Sequence, residues 1–509
     1  MASQSFINFI ESSFQAYSRK TAITFLRNGQ VETRLSYSQL QHDASCFANY
    51  MMSLELTPKD PVMLYLPKSV IFVVSHVAIQ KIGAISVPIN PEFKQSEVKY
   101  LIDNTRPAVI IAGKKQAEIL RTIAIDATVC EIDTTIAYQN HTFFQSQPAN
   151  PPKFSNDPNE PAVILYTSGT TGNPKGAILS HNNLICDAGN IIKIWQINNS
   201  DTICHTLPFF HTHGLCFSLH TLLAAGGHVV MLDRFDVNST LKTLMRKEGN
   251  LACTIFMAVP AMYNKLMTHL SDNTSDFSHI RLWACGSAPL LPKNFEHIRQ
   301  TFGKSPVERE GMTETGMNFS NPLLGDKIPG SIGLPLPGLE VKIIDPETHQ
   351  RMAEGQTGEI WLKGPAITPG YWRNQEETQK AFVEGWFRTG DIGRVDQKGY
   401  YYLVDRLKDI IISGGENISP KEVEIVINQM DEVSESVVVG IPDEKWGEKV
   451  VAAVSLLPGR QLTAVRIIDH CKNAIHAWKV PKEIRLVEVL PKNRMGKVLR
   501  NKVQTLFTD

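Results

Sequence analysis

At 509 residues, 42% of them hydrophobic, the chain exceeds what one hydrophobic core usually supports and is expected to fold as two or more globular domains. Lys+Arg and Asp+Glu balance at 51 each, so no bulk field draws nucleic acid or an anionic membrane, and neither is expected as a partner. The eight cysteines show no Cys-x-x-Cys pair and no metal spacing, which fits free thiols in a reducing cytosol, without structural zinc.

In chain order, Met1 to Arg19 lacks the basic start and continuous apolar core of a signal peptide. Val62 to Leu66 reads as a strand. Val70 to Ile89 is the longest apolar run, but His76, Gln80 and Lys81 interrupt it, so a buried helix followed by a strand is expected and no transmembrane anchor. Ala108 to Ala112 is strand-like, and Ser146 to Pro161, rich in Pro, Asn and Ser, is a loop that leads into a buried strand at Ala162 to Tyr166. Val229 to Leu232 and Thr254 to Val259 read as strands around a helical period at Val237 to Lys247. This alternation argues for α/β layers with mostly parallel sheets. From Glu340 to Val404 short strands with turn signals predict a small β-rich subdomain. Past Asp405 to Asp409, Ser419-Pro420-Lys421-Glu422 predicts a helix start with a capping box, opening a C-terminal α+β domain of plausible size at about 100 residues.

Tyr166-Thr167-Ser168-Gly169-Thr170-Thr171-Gly172-Asn173-Pro174-Lys175-Gly176 concentrates hydroxyls, glycines and one cation directly after the Ala162 strand. Glycines permit turns in which successive N–H groups converge on an anion, and Lys175 adds charge, so the run reads as a phosphate-holding loop. It is not a Walker A loop, because Asn-Pro separates the last loop glycine from the lysine. His211-Thr212-His213 could suggest a metal pair on one strand face, but no carboxylate or cysteine lies nearby in sequence.

With Cys285-Gly286-Ser287-Ala288-Pro289, Gly311-Met312-Thr313-Glu314-Thr315, Gly385-Trp386-Phe387-Arg388-Thr389-Gly390-Asp391, Asp405-Arg406-Leu407-Lys408-Asp409, Ser413-Gly414-Gly415-Glu416-Asn417 and Gly496-Lys497, in that order, nearly the whole chain resembles the adenylate-forming superfamily of acyl-CoA synthetases, luciferases and adenylation domains. The resemblance implies an α/β fold: a large N-terminal domain (1–404) of two α/β sheet subdomains plus the β-rich part (about 330–404), then a small mobile α+β C-terminal domain (405–509) hinged at Lys408. It also implies an AMP-forming carboxylate–CoA ligase. A carboxylate attacks the α-phosphorus of ATP, and a thiol then displaces AMP.

By the same resemblance Thr167, Ser168, Gly169, Thr170, Thr171, Gly172 and Lys175 would hold the β- and γ-phosphates, Glu314 would bind Mg2+ and Thr313 would touch phosphate. Gly286, Ser287, Ala288, residue 310, Gly311 and Met312 would line the nucleotide, Asp391 would accept from the ribose hydroxyls, and Arg406 would secure ribose or phosphate. Lys497 would bridge carboxylate and α-phosphate. Ser413, Gly414 and Gly415 would line the channel for the CoA pantetheine, a duty that alternates with that of Lys497 by rotation at the hinge. His211 would lie where acyl chain, adenylate and thiol meet.

The segments around His211, Ser287 and Glu314, with Met317 following, are most similar to the malonyl-CoA synthetase branch, so malonate or methylmalonate is the expected acid. A medium- or long-chain fatty acyl-CoA synthetase, a carrier-protein loader and a catalytically impaired adenylate-binding protein are the alternatives. A dicarboxylate needs a cation at the pocket end, for which Arg234 and Arg281 are the candidates. Glu310 departs from the family, whose tyrosine at this place stacks on adenine.

Overall fold

Alternation of apolar residues along each strand decides how the layers assemble. The computed structural model describes residues 4–123, 126–151, 154, 157–167, 174–270, 275–413, 416–443, 446–492 and 498–507, apart from the Asn417 side chain. Ser168, Gly169, Thr170, Thr171, Gly172, Gly414, Gly415 and Lys497 lie outside the described residues. Contacts divide the chain into two compact units, residues 1–340 with 362–387, and residues 341–361 with 388–509.

The first unit opens with strands β1 (Thr21–Arg27) and β2 (Gln30–Ser36). Then come β3 (Pro61–Tyr65), β4 (Ile85–Pro88), β5 (Val109–Gly113), β6 (Thr128–Ile132), β7 (Pro161–Thr167) and β8 (Lys175–Ser180). These six form one sheet in the order β6-β5-β3-β4-β7-β8. Next are β9 (Thr202–His205), β10 (His228–Leu232), β11 (Ile255–Ala258), β12 (Leu282–Cys285), β13 (Val307–Met312), β14 (Gly316–Ser320) and β15 (Leu334–Pro335). They join β1 and β2 in a nine-stranded sheet ordered β15-β14-β13-β12-β11-β9-β10-β1-β2.

Period-two burial gives each sheet two apolar faces. Val62 and Leu64 of β3, and Ile255 and Met257 of β11, enter one large core together with Phe47, Val73, Ile191 and Phe217. Met63 and Tyr65 turn to a second core with Val98 and Leu101, and Phe256 and Ala258 to a third with Leu266 and Ile298. Helices therefore lie between the sheets and on both outer faces. The apolar run at 70–89 divides as its pattern predicts, into a helix Val70–Ile82 and β4, with Gly83 ending the helix at φ +77, a left-handed conformation suited to glycine.

The β-rich segment supplies β16 (Glu340–Ile344), β17 (Gly358–Lys363), β18 (Phe382–Val383), β19 (Trp386–Val395) and β20 (Tyr401–Arg406). The contact division counts most of these strands with the C-terminal residues rather than breaking the chain at 405. Farther on, β21 (Ile411–Ser413), β22 (Glu416–Ile418), β23 (Val433–Asp443), β24 (Gly447–Leu456) and β25 (Glu483–Leu486) form the last sheet. One of its faces packs Val438, Val450 and Ala452 on Val423 and Ile467, and the other packs Val439 and Val451 on Val503 and Phe507.

Ser419 caps the helix Pro420–Ile427 by accepting from the Glu422 N–H. Only half of the predicted capping box is made. Glu422 turns its carboxylate to Lys479 at 2.7 Å, and Ser419 donates to Asp405 at 2.6 Å.

Candidate active site

One side of the candidate site begins at a hairpin. β7 and β8 are antiparallel, and their last register pair is Thr167 with Lys175, so the glycine-rich run connects two strands rather than a strand and a helix. The Thr167 hydroxyl lies 3.3 Å from Glu314 Oε1. Glu314 occupies the turn between β13 and β14, is buried, and accepts from the Tyr371 hydroxyl at 3.0 Å. Thr368 donates its N–H to the Glu314 carbonyl at 2.7 Å, which fixes the turn. Burial first, and then the Glu314 and Glu377 charges, push the Tyr371 phenol well above its ordinary value, so it remains a donor. Lys175 forms an ion pair with Glu377, and its Nζ stands 5.5 Å from the Tyr371 ring centroid. Every charge in this cluster already has a protein partner.

The other side is built from the ends of β9, β12 and β13. After β9 the chain turns into helical residues His213–His220, so His211 and His213 are not on a strand. Gly214 is required there, because a Cβ would lie 2.1 Å from the Pro208 carbonyl oxygen. Among the described residues no group of three or more His, Cys, Asp and Glu side chains could hold a metal ion. The half-buried His211 is pushed down to about 4 by burial and is neutral at pH 7. Thr212 donates to the Thr313 hydroxyl at 3.2 Å, joining the two sides.

Below this contact, Ser287 holds a left-handed φ of +68, unusual for a residue with a side chain, and presents its Oγ to His213 Nδ1 at 3.3 Å and to Arg309 Nη2 at 3.2 Å. The Arg309 guanidinium lies against Gly286, where a Cβ would stand 2.7 Å from Nε. It also lies 4.9 Å from the Phe217 ring. Arg309 is 2% exposed, and among the described residues neither its Nε nor its Nη1 has a hydrogen-bond partner; His213 Nε2 has none there either. Burial lowers Arg309 to about 10, so it stays a cation at neutral pH, while burial and Arg309 keep His213 neutral. A buried guanidinium next to a solvent-exposed serine is a ready anion site.

β14 is tied down from the helix His181–Trp195, where Asp187 accepts from the Met317 N–H at 2.9 Å. Gly316, at φ +69, leaves room for that carboxylate, since a Cβ would meet it at 2.8 Å. Burial raises Asp187 to about 7. Glu310 does not project freely: Asn318 donates to it at 3.0 Å and to the Thr315 hydroxyl at 2.7 Å, linking residue 310 to the turn that carries Glu314.

The two arginines picked from sequence for the acyl pocket sit elsewhere. Arg281 precedes β12, at the strand end opposite to Gly286 and Ser287, and is engaged by Asp201 at 2.6 Å and the Trp195 carbonyl at 2.9 Å. Arg234 is exposed and donates to Asn28 at 3.2 Å, toward the β1–β2 hairpin. Arg309, which no motif in the sequence singles out, is the buried cation beside Gly286 and Ser287. Met317 is buried beneath the turn, Gly311 is packed against the Gly316 carbonyl, and Ala288 is exposed beside Ser287. Within the second unit, buried Asp391 faces Arg406 across β19 and β20, joined by a 2.7 Å ion pair. Lys408 is exposed in the short turn Leu407–Asp409, and Ser413 is buried at the end of β21.

The paired α/β sheets of the first unit and the smaller sheet of the second are those of an adenylate-forming ligase fold. The AMP-binding enzyme family matches residues 10–372, and the AMP-binding enzyme C-terminal domain matches residues 422–497. Malonate–CoA ligase ACSF3, mitochondrial, of Mus musculus is 32% identical over 91% of this chain and 85% of its own. Oxalate–CoA ligase of Arabidopsis thaliana is 32% identical over 89% and 90%. The crystal structure of ATP-bound MatB from Rhodopseudomonas palustris superposes with a TM-score of 0.92, at 32% identity and 99% coverage of both chains. The chain belongs to the AMP-binding enzyme family and is an AMP-forming carboxylate–CoA ligase, taking ATP and CoA with its acid. Among the described residues no helix is long and apolar enough to cross a membrane.

Proposed function

We propose that the acid is malonate or a close dicarboxylate such as methylmalonate. The observation that carries this reading is the buried Arg309, whose two unpartnered donors beside Ser287 suit the carboxylate that does not react. The names of the malonate and oxalate ligases among the relatives support a short dicarboxylate. A fatty acid would leave those donors unmet.

Catalysis on this reading is a matter of charge and placement. Carboxylate and polyanion repel, so both must be held in line before a bond forms. Thr167 through Lys175 hold the β- and γ-phosphates, Thr313 touches phosphate, and Glu314, a hard oxygen ligand with Thr167 and Tyr371 beside it, holds Mg2+. Bound there, the metal supplies neutralisation of phosphate oxygens. Gly286 through Ala288 and Glu310 through Met312 flank the nucleotide, Asp391 and Arg406 bind the ribose, and Arg309 and Ser287 orient the acid, with His211 and Met317 bordering it. Lys497 stabilises the charge that moves during attack. For the thioester step the C-terminal domain rotates about Lys408, and Ser413, Gly414 and Gly415 then line the pantetheine channel. The eight cysteines, none of them disulfide-bonded, support a reducing compartment, which we take to be the cytosol.

Pyrophosphate release with malonate, methylmalonate, acetate, octanoate, palmitate and coumarate, with and without CoA, tests the assignment. Malonate or methylmalonate is expected to give the highest kcat/KM. Preference for octanoate or palmitate would remove the dicarboxylate reading.

A further inference from the structure

Lys175 is the one charged side chain in the phosphate-holding hairpin, and in this structure its charge is already taken. Its partner Glu377 arrives from far along the chain. Trp372 donates its N–H to the Gly176 carbonyl at 2.7 Å and Ile178 donates to the Gly370 carbonyl at 3.0 Å, so residues 370–372 are laid along β8. Asn374 then caps the helix Gln375–Ala381 by accepting from the Glu377 N–H at 3.1 Å, which starts the helix directly over the lysine. The pair is sheltered, with 13% and 16% of the Lys175 and Glu377 side chains exposed. Screening is therefore weaker than for a surface pair. Glu377 also has a second cation within reach, since Lys380 stands 3.0 Å from its other oxygen and 2.6 Å from Glu376.

We infer that Glu377 competes with the triphosphate of the nucleotide for Lys175, and that it passes to Lys380 when the nucleotide binds. One carboxylate between two cations can exchange partners without being left as an unpaired, half-buried charge, the outcome that would otherwise oppose release. The arrangement weakens ATP binding and does so selectively. AMP, which lacks the β- and γ-phosphates, never meets Lys175 and is indifferent to Glu377. The carboxylate therefore narrows the preference for ATP over the AMP formed in the reaction, and it sets how much nucleotide is needed to load the site. The inference rests on the reading that Lys175 holds those phosphates.

Calorimetric titration of the full chain with MgATP and with AMP tests both levels. Glu377→Gln is expected to tighten ATP binding by about tenfold, the scale of one lost competing ion pair, and to leave AMP unchanged. Lys380→Met, by removing the second cation, is expected to weaken ATP by about threefold. Glu377→Asp provides an independent variant with an intermediate gain, and thermal melting establishes that each variant is folded. If Lys175→Met weakens ATP while Glu377→Gln and Glu377→Asp do not tighten it, the competition is wrong and the role of Lys175 stands. If Lys175→Met leaves ATP affinity unaltered, the phosphate-holding reading falls, and this inference falls with it.

Discussion

The two sides of the candidate site meet at the Thr212–Thr313 contact and follow opposite electrostatic rules. On the phosphate side Lys175 has Glu377, and Glu314 has Thr167 and Tyr371, so the protein satisfies its own charges. On the side proposed for the acid Arg309 keeps two buried donors, and His213 one ring nitrogen, without a partner among the described residues. A buried polar group left unmet costs about 1–3 kcal/mol, more when charged. The difference teaches how each side treats a ligand. On the proposed function nucleotide displaces contacts that exist, which favours moderate affinity and exchange of ATP for AMP, whereas the acid completes contacts that are missing, which favours selectivity.

On the proposed mechanism the charge that moves during attack is stabilised by Lys497. Lys497→Ala is expected to lower acyl-adenylate formation by about 1000-fold or more, a loss typical of a transition-state electrostatic group. Thioester formation from supplied acyl-adenylate and CoA should largely survive. Single-turnover assays of the separate half-reactions measure this, and equal loss in both would end the division of labour.

The comparison is sharpest at Arg309. Arg309→Met keeps the bulk and removes the charge, so malonate kcat/KM should fall by about 10- to 150-fold, the equivalent of one charge-assisted contact of roughly 1.5–3 kcal/mol. Residual activity on a monocarboxylate such as butyrate should hold or rise. Arg234→Ala and Arg281→Ala should leave the malonate KM near its original value, because those side chains face Asn28 and Asp201. Losses of the same size on every acid would show that the two sides do not differ in kind.

Legibility in the sequence followed the range of the interaction. The helix and strand at 70–89 could be read from a local apolar pattern and Gly83, and the cap at Ser419 from three neighbouring residues. Arg309 could not. Set between Glu308 and Glu310, it reads as a surface charge, and only the meeting of β12 and β13 buries it against Gly286 and Ser287. Glu377 lies 202 residues from Lys175, and no spacing rule announces such a pair. Thr167 and Lys175 were visible in a glycine- and hydroxyl-rich run, and Glu314 and Ser287 through the resemblance to the adenylate-forming superfamily. Their partners were not, because tertiary packing alone selects them. The Glu422 half of the capping box failed for the same reason, since distant Lys479 drew its carboxylate away.

Asp187 is matched only in part, holding the Met317 N–H beneath the turn that joins the two sides. Its value in the folded chain, raised by burial to about 7, lies above the ordinary carboxyl value near 4. The folded state thus keeps a proton that the unfolded state releases, and stability falls as pH rises through that window. Asp187→Asn removes the titration while its carbonyl oxygen still accepts from Met317. Its stability relative to the unaltered chain should therefore grow between about pH 4 and pH 7, by about 4 kcal/mol in total. Denaturant unfolding at pH 5 and pH 8 tests this, and a constant gap would show that Asp187 does not titrate there.

The smallest effect probes whether matching on the phosphate side extends to the base. Glu310 is held by Asn318, which also grips Thr315, and on the proposed function this carboxylate takes the place of the family's adenine-stacking ring. Base–aromatic stacking is worth roughly 1–3 kcal/mol, and removing a negative charge near the triphosphate acts in the same direction. Against this, Glu310→Tyr takes an acceptor from Asn318, a loss of about 0.5–1.5 kcal/mol that the remaining bond to Thr315 does not recover. The balance predicts ATP binding about tenfold tighter, and because adenine is common to both nucleotides, AMP should gain the stacking part as well. That shared gain separates Glu310 from Glu377, which should act on ATP alone. Calorimetry showing ATP and AMP affinities unchanged or weakened in Glu310→Tyr would put adenine against another face of the pocket.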